Sequence, residues 1–263
     1  MRLRTMPCCF VLPTLCAALL PALYGQSIKV IRFGEGKPFQ MGKVTSYRIV
    51  HPDLGAKQLT LNYSASEPGY EFSQHVHDGS DDTILLLEGR ADLRQGDSRR
   101  HMVAGTCAFV PAGQIHGTVT TGRGTTMISF QTPPDMVLYT GARDSAKTGV
   151  APRGAITPGA VRYIPFGAAK GFFVHPEMGA RRLAVARRLV GSREAVTTGI
   201  AKGGEQLLFA WKGAVSILLG RASYELKQKD TAFITGPAEV TLRNDSASGA
   251  EVFEVQAPPY RGW

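Results

Sequence analysis

The most constraining feature of this sequence is that part of it occurs twice. His51-Pro52-Asp53-Leu54-Gly55-Ala56-Lys57-Gln58-Leu59 returns 124 residues later as His175-Pro176-Glu177-Met178-Gly179-Ala180-Arg181-Arg182-Leu183. The same offset carries Gly89, after Leu-Leu-Leu-Glu, onto Gly213, after Phe-Ala-Trp-Lys, and Ala108-Phe109-Val110 onto Ala232-Phe233-Ile234. Matches that share one offset over so long a span imply a tandem duplication with two structurally equivalent halves. A chain of 263 residues has room for two units of roughly 100 to 130 residues each. The expected organisation is an export signal over 1–26, a first unit over 27–132, a connector over 133–158 and a second unit over 159–263.

Both halves read as strands. Gln58 to Tyr63 alternates apolar and polar residues, and Thr83–Leu87, Thr106–Val110 and Thr125–Phe130 are short, apolar and rich in β-branched residues. Turn residues separate them at Asp78-Gly79-Ser80, Gly96-Asp97 and Thr121-Gly122-Arg123-Gly124, in a chain with 30 glycines and 16 prolines. The connector is rich in Pro, Gly, Ala and Thr, with a short turn of helix expected at Ala142 to Lys147. The fold class is therefore all-β, a sandwich or barrel in each half. The duplicated His51 and His175 each open a His-Pro-acid-x-Gly turn and are read as turn residues.

The N-terminus reads as a secretory signal peptide. Arg2 and Arg4 precede an apolar run from Pro7 to Leu23 that Pro13 and Pro21 break, too short for a stable membrane span. The expected location is periplasmic or secreted. Cys8, Cys9 and Cys16 would leave with that segment, and Cys107 would remain alone in an apolar run, a buried inert thiol. The net charge of +9 would fall to +7. The remaining basic residues are scattered without interleaved aromatics, so nucleic acid is not an expected partner. Hydrophobic residues at 43% are enough to fill a core.

One constellation carries chemistry. The first half contains Gly69-x5-His75-x-His77-x4-Asp82-x6-Gly89 and then Gly105-x5-Pro111-x-Gly113-x2-His116. Side chains at i and i+2 of a strand point the same way, so His75 and His77 can present two imidazoles side by side. A turn at 78–81 can return the chain so that Asp82, on a neighbouring strand about 4.8 Å away, points at the same centre. His116 follows the Pro111-Ala112-Gly113 turn and can face inward from another strand. Three imidazoles and a carboxylate suit a borderline divalent ion, with bonds of about 2.0 to 2.2 Å. An ion that takes five or six ligands would keep positions open for a small molecule.

These residues resemble the two sequence motifs of the cupin superfamily. Gly69, His75, His77, Gly89, Gly105, Pro111, Gly113 and His116 match; Asp82 stands where the family usually has Glu, and Thr120 where it usually has Asn. The resemblance implies two tandem cupin barrels of the jelly-roll type, a bicupin similar to quercetin dioxygenase-type and RmlC-like proteins. It implies one divalent metal ion per chain, of iron, manganese, nickel, copper or zinc, held by His75, His77, Asp82 and His116. At the 124-residue offset the second half has Gly199, Ala201, Gln206 and Val240 in their places, so metal is expected only in the first. The implied activity is that of a metal-dependent dioxygenase on a small oxygenated substrate, an enol, diketone or flavonol, with Asp82 as base. The alternatives are a cupin isomerase, lyase or decarboxylase, and a non-catalytic, metal-assisted binding or storage protein. A homodimer joined through sheet edges is open to such a barrel. His101 is read as a surface residue, and Leu207, Phe209 and Trp211 as core.

Overall fold

The computed structural model describes residues 26–260, so the expected export signal lies outside the described residues except for Gln26. The first half contributes β1 (Ser27–Ile31), β2 (Lys37–Met41), β3 (Val44–Val50), β4 (Leu61–Ser66), β5 (Glu71–His75) and β6 (Asp81–Glu88). It continues with β7 (Arg90–Gln95), β8 (Ser98–Val103), β9 (Thr106–Val110), β10 (His116–Thr120) and β11 (Thr125–Thr132), before a four-residue helix, α1 (Ser145–Thr148). The second half contributes β12 (Arg162–Pro165), β13 (Phe172–Val174), β14 (Ala184–Val190), β15 (Ala195–Ile200) and β16 (Glu205–Lys212). It ends with β17 (Val215–Leu219), β18 (Ala222–Leu226), β19 (Thr231–Thr235), β20 (Ala238–Arg243) and β21 (Ala250–Ala257).

Each half is a barrel of two facing antiparallel sheets. The first combines a seven-stranded sheet, β12-β9-β6-β11-β4-β3-β2, with a four-stranded one, β5-β10-β7-β8. The second combines a six-stranded sheet, β1-β19-β16-β21-β14-β13, with β15-β20-β17-β18. The central strands β6 and β16 stand at the 124-residue offset from end to end. Sheet membership crosses the expected division between units. β1 pairs with β19 of the second barrel, and β12 pairs with β9 of the first. Strand β4 begins three residues later than the alternation suggested, and α1 likewise, because Asp144 rather than Ala142 caps it.

Strand parity builds the core. On β6, Ile84 and Leu86 point into the first barrel with Leu93, Met102, Val110 and Met127. Leu85 and Leu87 point out and join Phe109, Phe130, Leu207, Phe209, Trp211 and Phe253 in a cluster shared by the two barrels. That shared layer explains why β6 and β16 are apolar on both faces. It also puts Leu207, Phe209 and Trp211 in a core between barrels, as expected. Each such side chain contributes about 1.5 to 3 kcal/mol by leaving water. Truncating fully buried Phe130 to Ala would cost about 3 to 5 kcal/mol.

The repeated turns behave as the sequence suggests. His51 and His175 each lead into a short 3-10 turn closed by a glycine in the left-handed region, Gly55 and Gly179. Gly89, also left-handed at φ 77°, is required for a second reason: a side chain there would collide with Thr125. His101 is exposed on β8 and lies 3.0 Å from Asp92 on β7.

Candidate metal centre

His75 is the last residue of β5 and His116 the first of β10, and the two are opposite each other in the antiparallel register. Their side chains therefore emerge together into the first barrel. Asp82 enters from the facing sheet, where β6 places it between Val110 and Gln131. This differs from the sequence expectation in two respects. His77 lies beyond the end of β5, in the segment that turns into β6, so strand alternation is not what aligns it with His75. Asp82 faces the histidines across the barrel rather than from a hydrogen-bonded neighbour, because the turn at 78–81 carries the chain from one sheet to the other.

The four side chains nevertheless converge. One ligand atom from each lies within 4.8 Å of all the others, and all four residues are buried. His75 Nε2 and His77 Nε2 are 3.1 Å apart, His116 Nε2 is 3.4 Å from Asp82 Oδ2, and His77 Nε2 is 3.7 Å from the same oxygen. Donors bound to one ion at about 2.1 Å sit roughly 3.0 Å apart at right angles and roughly 3.4 Å apart at tetrahedral angles, so this spacing fits a coordination sphere.

The hydrogen bonds around the rings make the same point chemically. Nδ1 of His75 faces the carbonyl of Ser73 at 2.9 Å, and Nδ1 of His116 faces the carbonyl of Gln114 at 3.0 Å. Nδ1 of His77 faces the Asp135 carboxylate at 2.7 Å. All three partners only accept, which assigns a proton to each Nδ1 and turns each Nε2 towards the shared centre. Where those Nε2 atoms carry no proton, they and the carboxylate repel one another unless something positive lies among them. Asp82 Oδ1 is buried with no hydrogen-bond partner, a further donor atom left free.

Titration follows the same field. Burial, reinforced by His116 and His77, pushes His75 well below the ordinary imidazole range and keeps it neutral. Burial alone would lower His77 as well, but hydrogen bonds and charge from Asp135 and Asp82 outweigh it and raise this ring. Burial likewise disfavours the charge on Asp82, and the facing His116 and His77 rings overcome that to hold it well below the usual carboxylate range. Burial drives the Cys107 thiol upward, as suits the inert interior residue expected at that position.

A cavity of about 40 Å³ adjoins the donors. His75, Asp82 and His116 form one side of it; Asn62, Ser64, Ser129 and Gln131 give it neutral polar groups, and Phe39, Phe72, Ile84, Met127 and Leu138 give it apolar walls. No Lys or Arg is among the residues that line it. Gln131 is almost wholly buried and its Oε1 has no partner. Sequence reasoning missed Gln131 and Asp135. The strand register places Gln131 opposite Asp82, whereas Asp135 belongs to the connector, where no spacing pattern marks it.

The corresponding place in the second barrel is filled differently. Val240 pairs with Thr198, as His116 pairs with His75, so the structural counterpart of His75 lies one residue before Gly199. Buried Glu254 accepts hydrogen bonds from Gln206 at 2.7 Å, from Gln256 and from Thr198, and its other oxygen holds Arg188 at 2.6 Å. This interior is a hydrogen-bonded cluster centred on one carboxylate.

A double barrel with buried histidines converging in one half defines a class of protein, and comparison with known proteins agrees with it. The cupin-domain family matches residues 63–130, the stretch that holds every proposed ligand. A segment of 117 residues is 25% identical to quercetin 2,3-dioxygenase of Bacillus subtilis; it spans 44% of this chain and 34% of that protein. YhhW from Escherichia coli superposes with a TM-score of 0.67 at 17% identity, over 90% of this chain and 100% of that one. The oxalate decarboxylase of Lactobacillus farciminis, solved as a formate complex, superposes at 0.66 with 13% identity, over 88% and 86%. The oxalate decarboxylase of B. subtilis, known for its Mn(II) centres, superposes at 0.65 with 10% identity, over 89% and 78%. The family match places a cupin domain in the first half, and the fold of the chain is two tandem cupin barrels. It carries a four-residue group suited to a divalent metal ion.

Proposed function

We propose that this cupin is an exported, metal-dependent dioxygenase that acts on a small oxygenated compound of the enol or diketone type. The observation that carries the reading is the meeting of three imidazoles and a carboxylate, all buried, beside a small cavity with neutral polar groups in its walls. His75, His77, Asp82 and His116 would hold the ion. When bound, it would supply Lewis acidity and, if redox-active, the means to use dioxygen. The remaining roles fall to the chain. Asp82 lines the cavity and its Oδ1 has no hydrogen-bond partner, which supports a role as the base that takes a proton from a substrate hydroxyl or acidic C–H. The Gln131 amide would orient a substrate oxygen through its hydrogen-bonding groups. The walls formed by Phe39, Phe72 and Leu138 exclude water from the site.

The cavity also limits the substrate. At about 40 Å³ it accepts a compound of few heavy atoms, and a flavonol would need the Phe39 and Leu138 wall to move. The lack of a cationic side chain in its lining favours neutral substrates over dianions. The donor set does not choose among the five metals: intrinsic affinity favours copper, nickel and zinc over iron and manganese, so supply and folding compartment decide. The experiment is elemental analysis of purified protein, followed by oxygen uptake with a panel of enols, diketones and flavonols. The proposal expects about one ion per chain and substrate-dependent uptake. Protein that stays empty under every metal supply would refute it. A thermal shift with these compounds and no turnover would point instead to a metal-assisted binding protein. Export is tested by N-terminal sequencing of protein recovered outside the cytoplasm.

A further inference from the structure

We propose that Asp135, in the connector between the barrels, is a positioning residue for the metal centre, which it serves by fixing the ring of His77. The inference rests on the metal reading above and adds a residue to it.

His77 differs from the other two imidazoles. His75 and His116 lie in paired strands, and each is oriented by the carbonyl two residues upstream, that of Ser73 or Gln114. His77 lies past the end of its strand, and no backbone carbonyl holds its Nδ1. The Asp135 carboxylate takes that place at 2.7 Å. A carboxylate behind a ligating histidine fixes ring and tautomer together and strengthens the donor nitrogen opposite.

Asp135 is itself fixed. It is buried, its Oδ1 accepts the Val137 N–H at 3.1 Å, and its Oδ2 forms an ion pair with Arg143 Nε at 2.7 Å. That contact is close but not aligned as a hydrogen bond. Arg143 reaches on to Asp78, the residue after His77, at 3.0 Å. The connector also grips the other arm of the site. Ala155 N donates to Gly113 O at 2.8 Å and Ile115 N to Ala155 O at 2.9 Å, just before His116. A stretch that reads in sequence as a linker thus supports two of the three imidazoles.

The test compares full-length wild type, Asp135→Ala and Asp135→Asn for Zn²⁺ affinity by competition with a chromophoric chelator. A second readout follows the His77 Nδ1 proton by NMR in the metal-free proteins. Loss of the brace should weaken Zn²⁺ binding about 10- to 100-fold in Asp135→Ala. Asp135→Asn, which keeps an acceptor and loses the charge, should lie between, with its His77 Nδ1 proton moved upfield. If Asp135→Ala does not fold, Asp135→Asn decides: unchanged affinity together with an unchanged resonance overturns the inference. So does wild-type affinity in a folded Asp135→Ala, or a loss that follows metal-free melting temperature alone and is not reduced in Asp135→Asn. Wild type that takes up no Zn²⁺ overturns the metal reading itself, an outcome distinct from these.

Discussion

Glu205 is the sharpest test of how the barrels are joined. It opens β16 in the second barrel, almost fully buried, yet its carboxylate accepts three backbone N–H groups from the first. Oε1 takes Lys57 N at 2.6 Å, and Oε2 takes Gln58 N at 2.9 Å and Leu59 N at 3.0 Å. Asp81, its counterpart at the 124-residue offset, accepts Ala112 N at 3.0 Å and lies 3.6 Å from Arg182, in the repeated loop of the other half. Consider Glu205→Ala. Lys57 is exposed and Gln58 half-buried, so water replaces those two bonds at about 0.5 to 1.5 kcal/mol each. Leu59 is buried, and its orphaned N–H costs about 1 to 3 kcal/mol. The sum is about 2 to 6 kcal/mol. At roughly 2 to 4 °C per kcal/mol for a chain of this size, Tm should fall by about 10 °C. Glu205→Gln keeps one acceptor oxygen and should lose about half as much. Differential scanning calorimetry on metal-free protein makes the comparison. A shift below about 3 °C for Glu205→Ala, or a Gln variant as stable as wild type, would refute the reasoning.

Other consequences can be checked directly. His75→Ala, His77→Ala and His116→Ala should each lose bound metal by elemental analysis while keeping the β-sheet circular dichroism of the parent. Stripping the ion should lower Tm by about 5 to 10 °C relative to protein with free ion at about 100 times Kd, because that occupancy is worth about 2.7 kcal/mol. Cys107, buried with its thiol pushed upward, should resist a chromogenic disulfide reagent in native protein and react at once in denaturant. Asp144 caps α1 and holds Gly42 N at 2.9 Å; burial raises its pKa, but the nearby Ser73 hydroxyl and hydrogen bonds from Gly42 and the first turn of α1 bring it below the ordinary value. Its stabilisation is therefore complete above about pH 3.9 and is lost as pH falls through the lower folded value. Protease nicking near α1 should rise on acidification across that window, and Asp144→Asn should abolish the dependence.

The candidate metal ligands could be picked out because a cation demands particular donor types, and these recur at short, fixed spacings. His75, His77 and Asp82 stand within eight residues of one another, and His116 follows its own turn signal. What the spacing could not give was the path of the chain. Asp82 was expected from an adjacent strand and comes from the facing sheet, because a four-residue turn can join neighbours in one sheet or cross between two. Asp135 was invisible for a related reason: it acts through a fold-level contact with a residue far back in the chain, and a lone Asp in a Pro- and Gly-rich stretch carries no periodic mark. The repeat located both barrels, but pairing partners are chosen by surfaces that exist only after folding, so the exchange of β1 and β12 left no trace in local pattern.

That exchange bears on how the molecule can be made. Ser27 in β1 meets Thr235 across 208 residues of chain, so the first of the described strands has no seat until nearly all the others exist. Severing the connector would not yield two independent cupins. It would leave β9 and β19 with bare edges, each a template for the missing strand of another copy, and such fragments would trade strands or aggregate.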